Sequence, residues 1–464
     1  MRLMDKSLRE LAAALRSRET SALDLWQEAR AAMEAGEPRL NAYKLRTDER
    51  AAEAARAADA AFRSGVDHGV LQGIPVSVKD LYGLPGAPVY AGSARELPAA
   101  WQAAGPMVQC LLDELAVITG KTHTVEFAFG ALGINRHWPT PRNPWDAAQH
   151  RAPGGSSSGA GVSLCEGAAI VALGSDTAGS VRVPASLTGN VGYKPTVDRW
   201  STRGIVPLSR IFDTPGILAR SVDDAFLAAC EFDRHMFGDG TGALGGTEPA
   251  ARLRIGVPED HFWDECDAGI AEGVRTALAE LERAGHRLVR VTFPEAAAAF
   301  GHFSAGGTSG AELLAFLQAE LPEWIPILDP NVGTRMQVAA QITAVDFLRR
   351  KDALEKLASL ALARFEGIDV MATPTAPISP PRLDEVPDWE RYRVRNLKVV
   401  RNTGTANLLR LCALTMPVAR DALGMPVGLQ LMAAPGRDDR LFAAALAFER
   451  VLGTGSRRLG RPDG

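Results

Sequence analysis

Apolar positions in the first 60 residues recur at helical spacing. Leu8, Leu11 and Leu15 share one face behind Ser7 and Glu10, which stand at capping-box spacing. Ser21 with Asp24 opens a second such segment carrying Leu25 and Trp26. Together they predict a helical arm over residues 1–60 that packs on the body of the protein. From residue 71 the pattern changes to short apolar runs bounded by turn residues. Ile74–Val78, Leu115–Thr119, Ala169–Leu173, Arg254–Val257, Leu288–Val291, Ile368–Met371 and Val427–Leu431 read as strands. Ala271–Ala284 reads as a helix closing at Gly285, with a strand immediately after it. This alternation predicts an α/β fold around a mixed, mostly buried sheet. No Pro/Ser/Gly linker divides the chain, so residues 61–464 are expected to form one large domain. Phe237–Thr247 is glycine-rich and short, and reads as a loop. Residues 301–345 lack a strand pattern and hold Gly306, Gly307 and Gly310. Connecting helices are expected there; a cover over a site is the alternative.

Composition narrows the class without selecting a function. The chain has 464 residues, 46% apolar and 23% charged, with a formal net charge of -4. Such a chain buries a core without staples. It also lacks the basic excess that nucleic-acid binding usually requires. Five cysteines, Cys110, Cys165, Cys230, Cys266 and Cys412, are scattered and form no Cys-x-x-Cys pair. Disulfides and structural zinc are therefore not expected. Arg9, Glu10 and Arg16 interrupt any apolar leader, and no run of 18 apolar residues is present. A cytoplasmic protein without membrane contact is the expectation.

The chemistry concentrates in two stretches, Pro153-Gly-Gly-Ser-Ser-Ser-Gly159 and Gly174-Ser-Asp-Thr-Ala-Gly-Ser-Val-Arg182. Glycines permit close backbone approach, and successive N–H groups in such turns can converge on an anion. A phosphate loop would need Gly-Lys-Ser/Thr, and neither stretch places the lysine. Gly155-Ser-Ser-Ser-Gly159 matches a nucleophile elbow by letter, with Ser157 central. That elbow must follow a strand and needs a late histidine. Here a loop precedes it, and 162 residues follow the last histidine, His302. The remaining reading uses Lys79, which ends the run Ile74-Pro-Val-Ser-Val78. On its own, a strand-end lysine is most simply a solvated or ion-paired side chain. Buried, it loses proton affinity and becomes a usable base.

Taken together these residues resemble the amidase signature family. The matching elements are Val78-Lys79-Asp80, Gly154-Gly-Ser-Ser-Ser-Gly159, Gly174-Ser-Asp-Thr-Ala-Gly-Ser-Val-Arg-Val-Pro-Ala185 and Gly189-Asn-Val-Gly-Tyr-Lys-Pro-Thr196. Ser156 and Ser180 stand 24 residues apart, as the two family serines do. The likeness continues through Thr140–Trp145, Asp213-Thr-Pro-Gly216, Ala372–Thr375 and Gly424–Gln430.

The resemblance implies a mixed sheet covered by helices on both faces. It also implies hydrolysis of the C–N bond of a linear amide, anilide or carbamate through an acyl-enzyme. Ser180 would be the nucleophile, Ser156 a relay held at a cis peptide bond, and Lys79 the base. Backbone N–H groups from Thr177, Ala178 and Gly179 to Ser180 would bind the oxyanion, and Ala128 would touch substrate. Asp176 and Arg182 would support the loop; Arg182 meeting an acidic substrate is the alternative.

No metal or other cofactor is implied, and the partner is a small amide or carbamate bound by a monomer or homodimer. The alternative within the family is the A subunit of a glutamine-dependent tRNA amidotransferase. One departure is Ala178, where the family usually has glycine; relatives acting on urea-like or carbamate-like carbonyls share it. His123, in place of a common asparagine, reads as a core or surface residue. His137 and Trp138 are candidates for the pocket wall.

Overall fold

In the computed structural model, residues 3–238, 244, 247–306 and 308–462 are described. Much of the expected loop Phe237–Thr247, and Gly307, lie outside that set. Eleven strands form one mixed sheet: β1 Tyr43–Arg46, β2 Pro75–Lys79, β3 Val117–Thr122, β4 Val171–Asp176, β5 Val191–Lys194 and β6 Thr214–Ala219. They are followed by β7 Arg254–Pro258, β8 Arg287–Val291, β9 Val370–Pro374, β10 Cys412–Arg420 and β11 Pro426–Ala433. Their order is β1-β3-β2-β4-β6-β5-β10-β11-β9-β7-β8. β2 runs parallel to both β3 and β4, and β7 runs parallel to β8 and β9. The remaining pairs are antiparallel.

The interior strands β2, β4 and β9 are buried along their whole length because both faces of the sheet are covered. Successive side chains point to opposite faces, and here they feed different cores. Val171 and Leu173 of β4 enter one apolar cluster while Ala172 enters another. Val370 and Ala372 of β9 likewise part company with Met371. Pro75 opens β2, a position where the missing N–H costs little.

The first 60 residues are mostly helical, as expected, and both capping boxes form at Ser7/Glu10 and Ser21/Asp24. The arm is not purely helical, however. Tyr43–Arg46 forms β1 and pairs with β3 at the sheet edge. Leu8, Leu15, Leu25 and Trp26 share one apolar cluster with Val76 and Val117, so the arm is part of the core. The described residues of 301–345 are mostly helical, with Pro294–Ser304, Thr308–Glu320 and Pro330–Ala339 as the main segments. All five cysteines are free. Among the described residues no helix is long and apolar enough to cross a membrane.

Candidate active site

The parallel arrangement of β2 and β4 brings their C-terminal ends to the same edge of the sheet. Lys79 closes β2 and Asp176 closes β4. Lys79 is fully buried and donates to Ser156 Oγ at 2.7 Å and Ser175 Oγ at 2.9 Å. Burial lowers its pKa to about 7, against the opposing pull of Asp213 and Asp176. The ammonium and the free amine are thus close in energy at neutral pH. Ser156 lies two residues before the helix Ser158–Glu166, and the Gly155–Ser156 peptide is cis. Ser157 N–H donates to the Ser180 carbonyl at 3.3 Å, tying the two serine-bearing loops together. Ser157 itself is fully buried and directs its hydroxyl to the Ser175 carbonyl, so it is no exposed elbow nucleophile.

Asp176 organises the turn that carries Ser180. Its carboxylate accepts from Gly179 N–H at 2.7 Å and Val181 N–H at 3.1 Å. Burial alone would raise its pKa; the Arg182 guanidinium overrides this and holds it at about 2. All five Arg182 donors are engaged, with Asp176, Thr403 O, Gln430 Oε1 and Asn407 Oδ1. Arg182 is fully buried, which leaves it no donor for an acidic substrate. The Gly179 amide is likewise committed to Asp176, which removes it from the expected oxyanion donors. Among the described residues, the amides of Thr177, Ala178 and Ser180 are tied to no protein acceptor. Gly179 has φ 127°, and a Cβ there would lie 2.1 Å from Thr403 Oγ1. Ala178 does not take a positive φ, so this turn accepts alanine where the family usually has glycine.

Two contiguous cavities flank this turn and share Ala128 and Leu208. The larger, about 350 Å³, reaches Ser175 and Asp213 and is walled by residues 202–215. The narrower one reaches Thr177, Ala178 and Ser180. Phe129, Phe303, Arg335 and Val400 also line it. Phe127 and Ala128 both adopt left-handed backbone, φ 47° and 58°, a conformation that non-glycine residues hold only where their surroundings enforce it. The helices of 301–345 therefore connect and also wall the site.

Three groups important to the site were not singled out from sequence. Ser175 is the second acceptor for Lys79 and sits inside a motif already quoted. Asp213 is buried and accepts from Thr177 Oγ1 at 2.6 Å and from the amides of Leu208 and Ser209. Arg335 lies 155 residues beyond Ser180 and carries no motif. His123 is buried, which lowers its pKa to about 4 and keeps it neutral, and it lines neither cavity. His137 pairs with Glu126 at 3.2 Å, and Trp138 donates to Ser93 O; neither forms part of either wall. Among the described residues no three His, Cys, Asp or Glu side chains are grouped to hold a metal ion.

Residues 24–442 match the family described as Amidase. Over 459 residues the chain is 50% identical to 2-amino-5-chloromuconic acid deaminase of Comamonas testosteroni, covering 98% of each chain. It is 33% identical over 479 residues to the A subunit of the Glutamyl-tRNA(Gln) amidotransferase of Anaeromyxobacter dehalogenans (strain 2CP-C), covering 96% of each. A crystal structure of an amidase superposes with a TM-score of 0.83 at 29% identity, covering 97% of this chain and 100% of that one.

Proposed function

The chain belongs to the amidase family, and from that premise we propose that it hydrolyses the C–N bond of a small linear substrate through an acyl-enzyme on Ser180. Neutral Lys79 takes a proton from Ser156 as Ser156 takes one from Ser180. Ser180 Oγ then bonds to the carbonyl carbon, and the oxyanion meets the amides of Thr177, Ala178 and Ser180, each such donor typically worth ~3–4 kcal/mol. The C–N bond breaks as Lys79 and Ser156 return the proton to the leaving nitrogen. Water, activated by the same relay, frees the acid. The observation that carries this reading is the fully buried Lys79 at 2.7 Å from Ser156 Oγ with a pKa near 7. The substrate is a linear amide, anilide or carbamate, turned over by a cytoplasmic monomer or homodimer without a cofactor.

A second substrate reading has a specific support. The relative at 50% identity is named for deaminating 2-amino-5-chloromuconic acid, so release of ammonia from an amino-substituted unsaturated acid belongs in the same test. The amidotransferase reading rests on relatives at 33% identity and is the weaker of the two. The test is a mass-spectrometric and ammonia-release screen of the purified chain on amides, anilides, carbamates and aminomuconic acids, without partner proteins or glutamine. Turnover is expected in the isolated chain and is abolished in Ser180→Ala. Retention of activity in that variant removes the assignment.

A further inference from the structure

The narrow cavity beside Ser180, about 40 Å³, is open on one side and has room for a small group. Its wall is largely apolar, with Phe129, Phe303, Leu208 and Val400. Arg335 lines the same cavity. Its guanidinium lies over the Phe129 ring at 3.3 Å and spends one donor on Phe129 O at 2.8 Å. Among the described residues no carboxylate stands within ion-pair distance of it. Burial lowers its pKa to about 10, the direction of a cation that lacks a compensating charge. Ser309, also in this wall, is buried, and its hydroxyl has no hydrogen-bond partner. Buried polar groups are ordinarily satisfied, so an orphan in a cavity wall points to a ligand.

Arg182 and Arg335 are both near the nucleophile, yet the first has all five donors occupied by protein and the second has one. A guanidinium with free in-plane donors matches a carboxylate in geometry and charge. Arg335 is only partly buried, so a neutral amide leaves its free donors to water, whereas a carboxylate pairs with them in both charge and geometry.

We propose that Arg335 and Ser309 form a carboxylate subsite beside Ser180, which makes the substrate a carboxylate-bearing C–N compound rather than a neutral amide. The subsite rests on the hydrolytic reading of Ser180 only for its consequence, not for its existence. Two measurements separate them. In the first, half-amides of linear dicarboxylic acids are compared with their methyl esters by ammonia release. The wild type prefers the free acids by on the order of 100-fold in kcat/KM, the scale of a buried charge pair. Arg335→Met collapses that ratio towards unity, Arg335→Lys restores part of it, and Ser309→Ala lowers it several-fold. A wild-type ratio near one overturns the proposal, as does an equal loss on acids and esters in Arg335→Met. In the second, linear dicarboxylic acids are titrated calorimetrically into Ser180→Ala and into Ser180→Ala with Arg335→Met. Binding to the first and not the second supports the subsite even if no amide is cut, an outcome that would sink the hydrolytic reading alone. Absence of binding to Ser180→Ala overturns the subsite.

Discussion

Replacing Lys79 by methionine should destroy activity and, at acidic to neutral pH, stabilise the protein. Methionine has similar length and no charge. Below pH 7 the lysine is protonated in both folded and unfolded chains. The folded state then bears the whole cost of moving its pKa from 10.5 to about 7. At about 1.4 kcal/mol for each tenfold change in proton affinity, that cost is about 5 kcal/mol. Between pH 7 and 10.5 the folded chain binds fewer protons than the unfolded one, so wild-type stability rises with pH; above 10.5 the cost is gone. Methionine removes the cost throughout but forfeits the hydrogen bonds to Ser156 and Ser175, about 1 kcal/mol each. The variant should therefore exceed the wild type by about 2–3 kcal/mol at pH 6, with the advantage vanishing near pH 9. Guanidinium denaturation of both proteins at pH 6, 7.5 and 9, followed by tryptophan fluorescence, reads this directly. Groups remote from Lys79 titrate alike in the two proteins and cancel in the difference, which leaves the lysine and the Asp213 and Asp176 carboxylates that feel its charge. A Lys79→Met advantage that is constant or grows with pH would refute a neutralised buried lysine.

If Lys79 is the base proposed above, kcat/KM on an uncharged substrate should rise with pH to half its plateau near 7, where the free amine takes over. A profile flat from pH 5 to 9 contradicts this. Arg182→Met leaves Asp176 buried with its guanidinium partner gone, and should cost about 3–5 kcal/mol of stability, read as a lower denaturation midpoint. Gly179→Ala forces a Cβ against Thr403 at a φ that alanine resists, and should reduce kcat by about 100-fold or more with the fold intact by circular dichroism.

What could be read from sequence was local. Lys79, Ser156, Ser180, Asp176 and Arg182 lie in short motifs whose glycines and hydroxyls announce an unusual turn. Seven strands are legible as short, mostly apolar runs bounded by turn residues. β6 is broken up in sequence by Pro215 and Gly216, and β10 by Pro417, where its register with β11 shifts. β1 has only four residues between helices. Non-local partnerships were out of reach. Nothing in the sequence pairs Arg182 with Gln430 and Asn407, or sets Phe303, Ser309 and Arg335 beside a serine at 180. Those encounters are made by the sheet and by the helices crossing its edge. The expectation for Gly179 failed for a related reason: the motif shows that an amide is present, but not that Asp176 has already claimed it.

The shared edge of β2 and β4 has an evolutionary consequence. Lys79, Ser175 and Asp176 are fixed by adjacent parallel strands in the sheet's interior, where any shift would disturb packing on two faces. The surfaces that meet a substrate come from elsewhere, the loop over 202–215 and the helices spanning 303–335. Under the proposed mechanism, reaction and selectivity are thereby carried on separate pieces of chain. Mutations can retune what enters without touching how the bond is broken, so one ancestral scaffold can spread across many nitrogenous compounds by altering its walls alone.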